Sequence, residues 1–195
     1  MAIVNNCKIY GLKNSFRVSK FPMSVDSGKC STKYTQTIKK LGTAEKGSGH
    51  DNFLKGIVIQ FDLSFTVKAW TEAERYHWFD IVSSQSTMHR LNFMDFDECF
   101  CEYVTINTKN EMNRLKEIYN ETKNVKDYLV LLYNCPTGIV LTAGITTNYQ
   151  QLKTIYSQRK NHRLPEWREF CEWIKTLPYS ELITGEFKED VNNDN

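Results

Sequence analysis

Residues 56–65 alternate between apolar and polar side chains, and this pattern constrains the fold more than any other feature of the sequence. The apolar positions are Ile57, Ile59, Phe61, Leu63 and Phe65, and the polar positions between them are Gln60, Asp62 and Ser64. Because successive side chains of a strand point to opposite faces of the sheet, the alternation predicts a strand with one buried face.

The period of the apolar residues changes directly after this strand. From Lys68 they recur at steps of three and four, which predicts an amphipathic helix. We expect it to end near residues 83–87, because short hydroxyl side chains there compete with the helix for hydrogen bonds to the backbone. His77 falls on the apolar stripe, so we expect a hydrogen-bonded core histidine there. The positions of the stripe are Trp70, Ala73, His77, Trp78, Ile81 and Val82.

The rest of the chain predicts further helices and a second strand, with no internal repeat. Residues 1–50 are turn-rich, with loops at 24–31 and 42–49. Together the elements indicate an α/β (α+β) single domain over residues 1–185, in which a central sheet is flanked by helices, and a flexible polar tail over 186–195. Helices are predicted at 110–124, at 125–133 before Pro136, after Asn148, and from Pro165 to Pro178, and the second strand at 138–147.

Composition excludes several classes of protein. A net charge of +2 is too small to predict a nucleic-acid or acidic-membrane partner. The sequence has no apolar run of membrane-spanning length and no secretory signal at its start, so we expect a cytoplasmic protein with reduced cysteines. Cys99 and Cys101 are separated by one residue, a spacing that suits neither a redox pair nor a zinc site, and no metal is predicted.

Two groups of residues have the chemistry of an anion site. Residues 83–90, after Arg75-Tyr76-His77-Trp78, form a hydroxyl-rich segment whose backbone N–H groups can hold a phosphate, although serines there can also act as helix caps. The basic turn at 159–163, with Arg168 one turn later, can grip a phosphate or a flavin pyrophosphate, or can be a solvated turn.

A third group is acidic. Residues 95–98 contain three carboxylates, and Glu102 follows nearby. Clustered carboxylates can bind magnesium, but the same pattern is typical of a solvated acidic loop.

The first group resembles the signature of the flavin-dependent thymidylate synthase (ThyX) family, in which Arg-His-Arg is followed after seven or eight residues by Ser-x-Arg-Tyr. Arg75-Tyr76-His77 followed by eight residues reaches Ser86. Other segments are similar to the family in the same order along the chain. They are Gly49-His50-Asp51 for a Gly-His-Glu turn, Asn148-Tyr149-Gln150-Gln151-Leu152 for Asn-x-Arg-x-Leu, Arg159 for a later Leu-Arg, and Glu166-Trp167-Arg168 for Gln-Trp-Glu.

The resemblance covers roughly residues 49–91 and 130–175, and it implies a divergent, phage-type member of the family: a homotetramer with a shared site for FAD and dUMP. It implies that Ser86 and Arg159 are catalytic, Arg159 steadying the base and Ser86 lying beside the reacting ring. The nucleotide-binding residues that it implies are Ser84, Gln85, Ser86, Arg90 and Arg159. The cofactor-binding residues that it implies are Arg75, Tyr76, His77, His89 and Asn148.

Four positions differ from the family pattern. Met88 and Leu132 stand where arginines grip the nucleotide phosphate, Gln150 replaces the arginine of Asn-x-Arg, and Glu72 replaces a glutamine. Since each charge-assisted contact is worth roughly 1.5–3 kcal/mol, the loss of two arginines weakens a dianion site by several kcal/mol, unless Arg90 and Arg159 compensate.

Two functions are therefore open. One is a divergent flavoenzyme that transfers a one-carbon unit to a pyrimidine nucleotide such as dUMP, with FAD as the hydride carrier. The other is a non-catalytic nucleotide-binding protein on the same scaffold, which would sequester or sense a nucleotide during phage infection, as in counter-defence.

Overall fold

The computed structural model describes residues 4–45 and 47–186, which form one four-stranded sheet with helices packed against it. The strands are β1 (Val4–Tyr10), β2 (Val58–Thr66), β3 (Phe79–Ser84) and β4 (Val140–Asn148). The helices are α1 (Leu12–Val18), α2 (Gln36–Gly42), α3 (Val67–Ala73), α4 (Thr87–Arg90), α5 (Ile106–Thr122), α6 (Val125–Tyr133), α7 (Tyr149–Arg159), α8 (Pro165–Ile174) and α9 (Glu181–Thr184). Short 3₁₀ turns lie at Phe21–Met23, Ser27–Lys29, Asn52–Gly56 and Leu91–Phe93.

The sheet is antiparallel throughout, with the strand order β1-β2-β4-β3. The strand predicted from the alternation at 56–65 is β2, and the five alternating apolar residues from Ile57 to Phe65 are buried, as expected. Its partner β4 is the second predicted strand, and Phe61 lies opposite Ile145 in the register. The predicted mixed fold with a central sheet is thus confirmed.

The prediction of one helix from Lys68 to residue 83 was wrong in its second half. The helix α3 ends at Ala73, and the following residues turn into β3, an edge strand that pairs with β4. Thr147 donates a hydrogen bond from Oγ1 to the carbonyl oxygen of Trp78 at 2.5 Å, which fixes the start of β3. His77 is exposed and does not lie in the core.

Residues 4–45 and 47–50 contain more regular structure than the sequence predicted. β1 pairs with β2, α1 contacts the 3₁₀ turn at Asn52–Gly56, and α2 contacts α9, although the loop at 24–31 is confirmed apart from its short 3₁₀ turn. Gly11 joins β1 to α1 with a φ of 76°, and a Cβ at this position would clash with the carbonyl oxygen of Gly56. The segment lacks a clear apolar period because its strand is at the sheet edge and its helices are only seven residues long.

The main core lies between one face of the sheet and helices α7 and α8. Phe65, Trp167 and Phe170 are fully buried there and contact one another through their rings. A second apolar cluster lies around α5 and α6 and contains Leu91, Phe96, Phe100, Met112, Leu115, Leu131 and Ile139. The first cluster therefore holds α7 and α8 against the sheet, whereas the second packs α5 against α6 and reaches the sheet through Leu141 of β4.

The remaining helices agree with the prediction, with shifts at their ends. α6 has the predicted bounds, α5 begins four residues early at Ile106, and Pro165 is in the first turn of α8. Of the predicted tail, only Glu186 is among the described residues, and 187–195 lie outside them. No helix in the described residues is long and apolar enough to cross a membrane.

Candidate functional site

Arg159 is the last residue of α7, and its guanidinium is held on two sides. Its Nε donates to the hydroxyl of Tyr76 at 2.6 Å, and its Nη1 donates to Oε2 of Glu72 at 2.8 Å. Nη1 also lies 2.8 Å from Nε2 of His162. Among the described residues, Nη2 has no hydrogen-bond partner. One terminal nitrogen of the guanidinium is thus left for a ligand.

Two aromatic rings fix the plane of this guanidinium. The carbon Cζ of Arg159 lies 5.0 Å from the ring centre of Trp167 and 5.4 Å from that of Tyr76. Arg159 is only 9% exposed. Cation–π contacts of a desolvated arginine are worth about 2 kcal/mol, so the side chain is positioned before any ligand binds.

Glu72 and His162 complete the surroundings of the guanidinium. The hydrogen bond from Arg159 lowers the pKa of Glu72 below its ordinary value. Burial, and then the charge of Arg159, lower the pKa of His162. The backbone N–H of Leu164 donates to Nδ1 of the ring at 3.2 Å, and Nδ1 can accept only while it carries no proton. The histidine is therefore neutral at neutral pH.

A cavity of about 300 Å³, which we name the Arg159 cavity, opens beside this arginine. It brings together three residues of the predicted cofactor triplet with Arg159, 84 residues later in the sequence. Sequence reasoning missed Gln151, Thr154 and Gln158, the polar residues of α7 at steps of three and four that face the cavity. The lining residues are Arg75, Tyr76, His77, Gln151, Thr154, Gln158 and Arg159.

Residues 83–90, which we name the Ser86 segment, lie elsewhere in the chain. Ser84 is the last residue of β3, and Ser86 precedes α4 without capping it through its side chain. The hydroxyl of Tyr128 on α6 donates to the carbonyl oxygens of Thr87 and Met88. No hydrogen bond, ion pair or ring contact joins the Ser86 segment to Arg159 in the part of the chain that the structure describes.

Gln85 has a structural contact that its sequence position did not predict. Its Oε1 accepts from the backbone N–H of Thr142 at 2.9 Å, and its own N–H donates to the carbonyl oxygen of Thr142. The side chain thus continues the pairing of β3 with β4 by one residue. Arg90 lies over the ring of Phe93 at 5.5 Å and is exposed, as is His89.

The predicted cofactor residues divide into engaged and available side chains. Asn148 caps α7 by accepting from the N–H of Gln151, and Tyr76 donates to Gln158 while accepting from Arg159. Arg75 and His77 are exposed, and within the described residues neither has a hydrogen-bond partner. The guanidinium of Arg75 and the imidazole of His77 are therefore available to bind a ligand.

The acidic residues at 95–98 form a loop beside the second apolar cluster. Asp95 accepts from the N–H of Asp97, and Lys116 lies near the loop, donating to the carbonyl oxygen of Met94. Over residues 4–45 and 47–186, no three histidine, cysteine or carboxylate side chains are arranged to hold a metal ion. All six cysteines are free thiols.

Comparison with known proteins relates this fold to one group of enzymes. No protein-family model matches the sequence, and no protein of curated function matches it. Two crystal structures of Helicobacter pylori ThyX with FAD and dUMP superpose with TM-scores of 0.70 and 0.71 at 16% identity, covering 94% of this chain and 98% and 97% of theirs. A UMP/dUMP methylase, PolB, from Streptomyces cacaoi bound with 5-Br dUMP superposes with a TM-score of 0.62 at 12% identity, covering 94% of each chain. The chain therefore has the fold of the flavin-dependent thymidylate synthases, as the resemblance of its motifs predicted.

Proposed function

We propose that this protein binds a pyrimidine nucleotide such as dUMP, with the base against Arg159. The structures that share the fold are described as complexes with dUMP or 5-Br dUMP. The observation that carries the proposal is the guanidinium of Arg159, which is fixed by Tyr76 and Glu72 and keeps Nη2 for a ligand. A preorganised donor of this kind binds a carbonyl oxygen without an ordering cost.

The Ser86 segment completes the site from a second copy of the chain. Within one chain the Ser86 segment is bonded to Tyr128 of α6, whereas Arg159 is the last residue of α7. β3 is a sheet edge, and large apolar side chains are exposed directly before it, on it and after it, which is typical of a surface that a partner covers. These side chains are Trp78 (56% exposed), Ile81 (44%), Val82 (69%), Met88 (54%) and Phe93 (71%).

We propose that the assembly is a homo-oligomer, a tetramer in the family's manner. Val82→Lys places a charge in the middle of this apolar edge, so we expect smaller particles by light scattering after size exclusion. Val125→Lys, the same substitution at a 73% exposed position of α6, is the matched control. A monomeric unmodified protein that still binds the nucleotide would contradict the shared site.

If the protein is an enzyme, FAD supplies hydride chemistry for one-carbon transfer to the nucleotide. Arg75 and His77 fit this cofactor because they are exposed donors beside the Arg159 cavity. The cavity of about 300 Å³ is at the lower limit for ligand sites, so a dinucleotide extends beyond it onto a neighbouring surface. In this function Arg159 orients the base, and Ser86 lies beside the reacting ring.

The alternative is a non-catalytic nucleotide-binding protein on the same scaffold, with a role in phage nucleotide sequestration or sensing. The two side chains that stand where the family pattern has phosphate-binding arginines favour this alternative. Met88 is 54% exposed and Leu132 packs against the second cluster, so neither supplies a charge for a phosphate. A weakened phosphate site is compatible with binding but lowers the precision that catalysis needs.

Two measurements separate these functions. A purified enzyme contains flavin and absorbs at about 450 nm, whereas the binder is colourless and is stabilised against heat by dUMP but not by FAD. The Arg159→Lys variant keeps the positive charge but lacks the planar guanidinium that bonds to Tyr76 and Glu72 at once. We therefore expect it to lose most of the nucleotide-dependent stabilisation. The same shift in Tm for unmodified protein and variant would contradict the proposed site.

A further inference from the structure

We infer that Glu72 is a specificity-determining residue, whose carboxylate neutralises Arg159 so that the Arg159 cavity selects an uncharged group, such as a pyrimidine base, and excludes phosphate. The inference rests on the proposed nucleotide function and deepens it. It assigns a role to a residue on α3 that does not line the cavity and acts through Arg159.

The geometry of the pair supports this role. Oε2 of Glu72 lies 2.8 Å from Nη1 of Arg159, and the side chains are 19% and 11% exposed. Because both groups are largely shielded from solvent, water screens their interaction less than it does on an open surface. The arginine and its partner therefore present a dipole to the cavity instead of a full positive charge.

Arg159 cannot leave its partner to meet an anion without losing other contacts. Its Nε is bonded to Tyr76, and its plane is held between the rings of Tyr76 and Trp167. A phosphate at Nη2 would lie one guanidinium away from the carboxylate of Glu72, and like charges repel across this distance. A carbonyl oxygen at Nη2 meets no such repulsion and accepts a charge-assisted hydrogen bond.

The neighbouring cations do not replace the charge that Glu72 cancels. Lys68 lies 4.0 Å from the other oxygen of Glu72, but its side chain is 57% exposed. His162 is 3.9 Å from Oε2 and is neutral at neutral pH, because its Nδ1 accepts from the backbone N–H of Leu164 and the neighbouring charge of Arg159 opposes a second cation. Arg75 is exposed to solvent, where its charge is screened.

The test compares an uncharged probe with an anionic one. The affinity of deoxyuridine is measured by calorimetry with and without inorganic phosphate, in the unmodified protein and in Glu72→Gln. Glutamine has the same shape and keeps an acceptor for Nη1, but it lacks the charge. Glu74→Gln, an exposed position directly after α3, is the matched control.

In the unmodified protein and in Glu74→Gln, we expect phosphate to leave the affinity of deoxyuridine unchanged. In Glu72→Gln, we expect phosphate to compete with deoxyuridine. Phosphate should bind to this variant about tenfold more tightly than to the unmodified protein, which corresponds to one charge-assisted contact. Competition by phosphate in the unmodified protein would overturn the inference, even if the variant did not fold.

The failure of the inference differs from the failure of the proposed function. If deoxyuridine binds but Glu72→Gln leaves phosphate without effect, the role of Glu72 is wrong and the nucleotide function stands. If neither deoxyuridine nor dUMP binds to the unmodified protein, the proposed function is wrong, and the inference with it.

Discussion

The ammonium group of Lys153 on α7 lies 2.9 Å from Oδ2 of Asp51, and it also donates to the carbonyl oxygens of Gly42 and Ala44. Gln150 donates to Oδ1 of the same carboxylate at 3.0 Å. All the hydrogen-bonding capacity of Lys153 is thus used in one place. These bonds connect the segment before β2 to a helix about 100 residues later in the chain.

We expect Lys153→Met to lower the free energy of unfolding by about 3 kcal/mol, since it leaves a buried carboxylate without its cation. Asp51 is 2% exposed, so solvent cannot replace the lost partner. Urea denaturation followed by circular dichroism measures the change. Lys13→Met, on the exposed face of α1, is the control and should alter stability by less than about 0.5 kcal/mol. A similar small effect in both variants would show that the buried pair contributes little.

The stability of the protein should decrease as the pH falls below 6.5, the ordinary pKa of histidine. The pKa of His162 is lowered in the folded state by burial and by Arg159. The unfolded chain therefore binds the proton first, and stability that is complete above pH 6.5 is lost as the pH falls towards the folded pKa. Urea midpoints over this range measure the effect, and His162→Gln should abolish this part of it. An unchanged pH profile in the variant would assign the titration to another group.

A second loss of stability is expected at lower pH, from Glu72. Its pKa is lowered, first by the hydrogen bond from Arg159, so its contribution is complete above the ordinary value of 4.5 and is lost as the pH falls through the folded pKa. Glu72→Gln should remove this lower step and keep the step of His162. A variant that loses both steps would show that the two groups titrate as one unit.

Thr66 connects β2 to two helices, and its hydroxyl should be necessary. It accepts from the N–H of Ala69 as the cap of α3 and donates to Oε1 of Glu166 on α8 at 2.6 Å. Thr66→Val keeps the volume but loses both bonds, so we expect a loss of about 1–2 kcal/mol in chemical denaturation. Thr66→Ser retains the hydroxyl and should lose clearly less. A Thr66→Val variant as stable as the unmodified protein would show that the two hydrogen bonds contribute little.

Gln85 should contribute to stability even without a nucleotide. Gln85→Ala removes the acceptor for the backbone N–H of Thr142, which we expect to cost about 1 kcal/mol in unfolding experiments without ligand. Gln85→Glu keeps an acceptor oxygen and is the control. If Gln85→Ala is as stable as the unmodified protein but binds dUMP less tightly, the residue acts on the ligand alone.

The local patterns of the sequence determined the elements that bury one face against the core, such as β2 and α8. The alternation at 56–65 required a half-buried strand because a shift of one residue would expose Ile59, Phe61 and Leu63 together. Pro165 at the first turn of α8, and the apolar stripe after it, likewise depend only on the geometry of one helix. The order of the ThyX-like motifs was also sufficient to predict the fold.

Contacts between distant residues decided the rest. Residues 79–84 have a spacing that suits a helix, but they form β3 because β4, about 60 residues later, offers an unpaired edge and Thr147 fixes the carbonyl of Trp78. Arg159 meets Glu72 across 87 positions of the sequence, and no local period reports such a pair. The sequence by itself therefore determined β2, β4, the later helices and the order of the motifs. The tertiary structure decided where β3 forms and which charges meet at the site, because long-range pairing depends on how all the elements pack together.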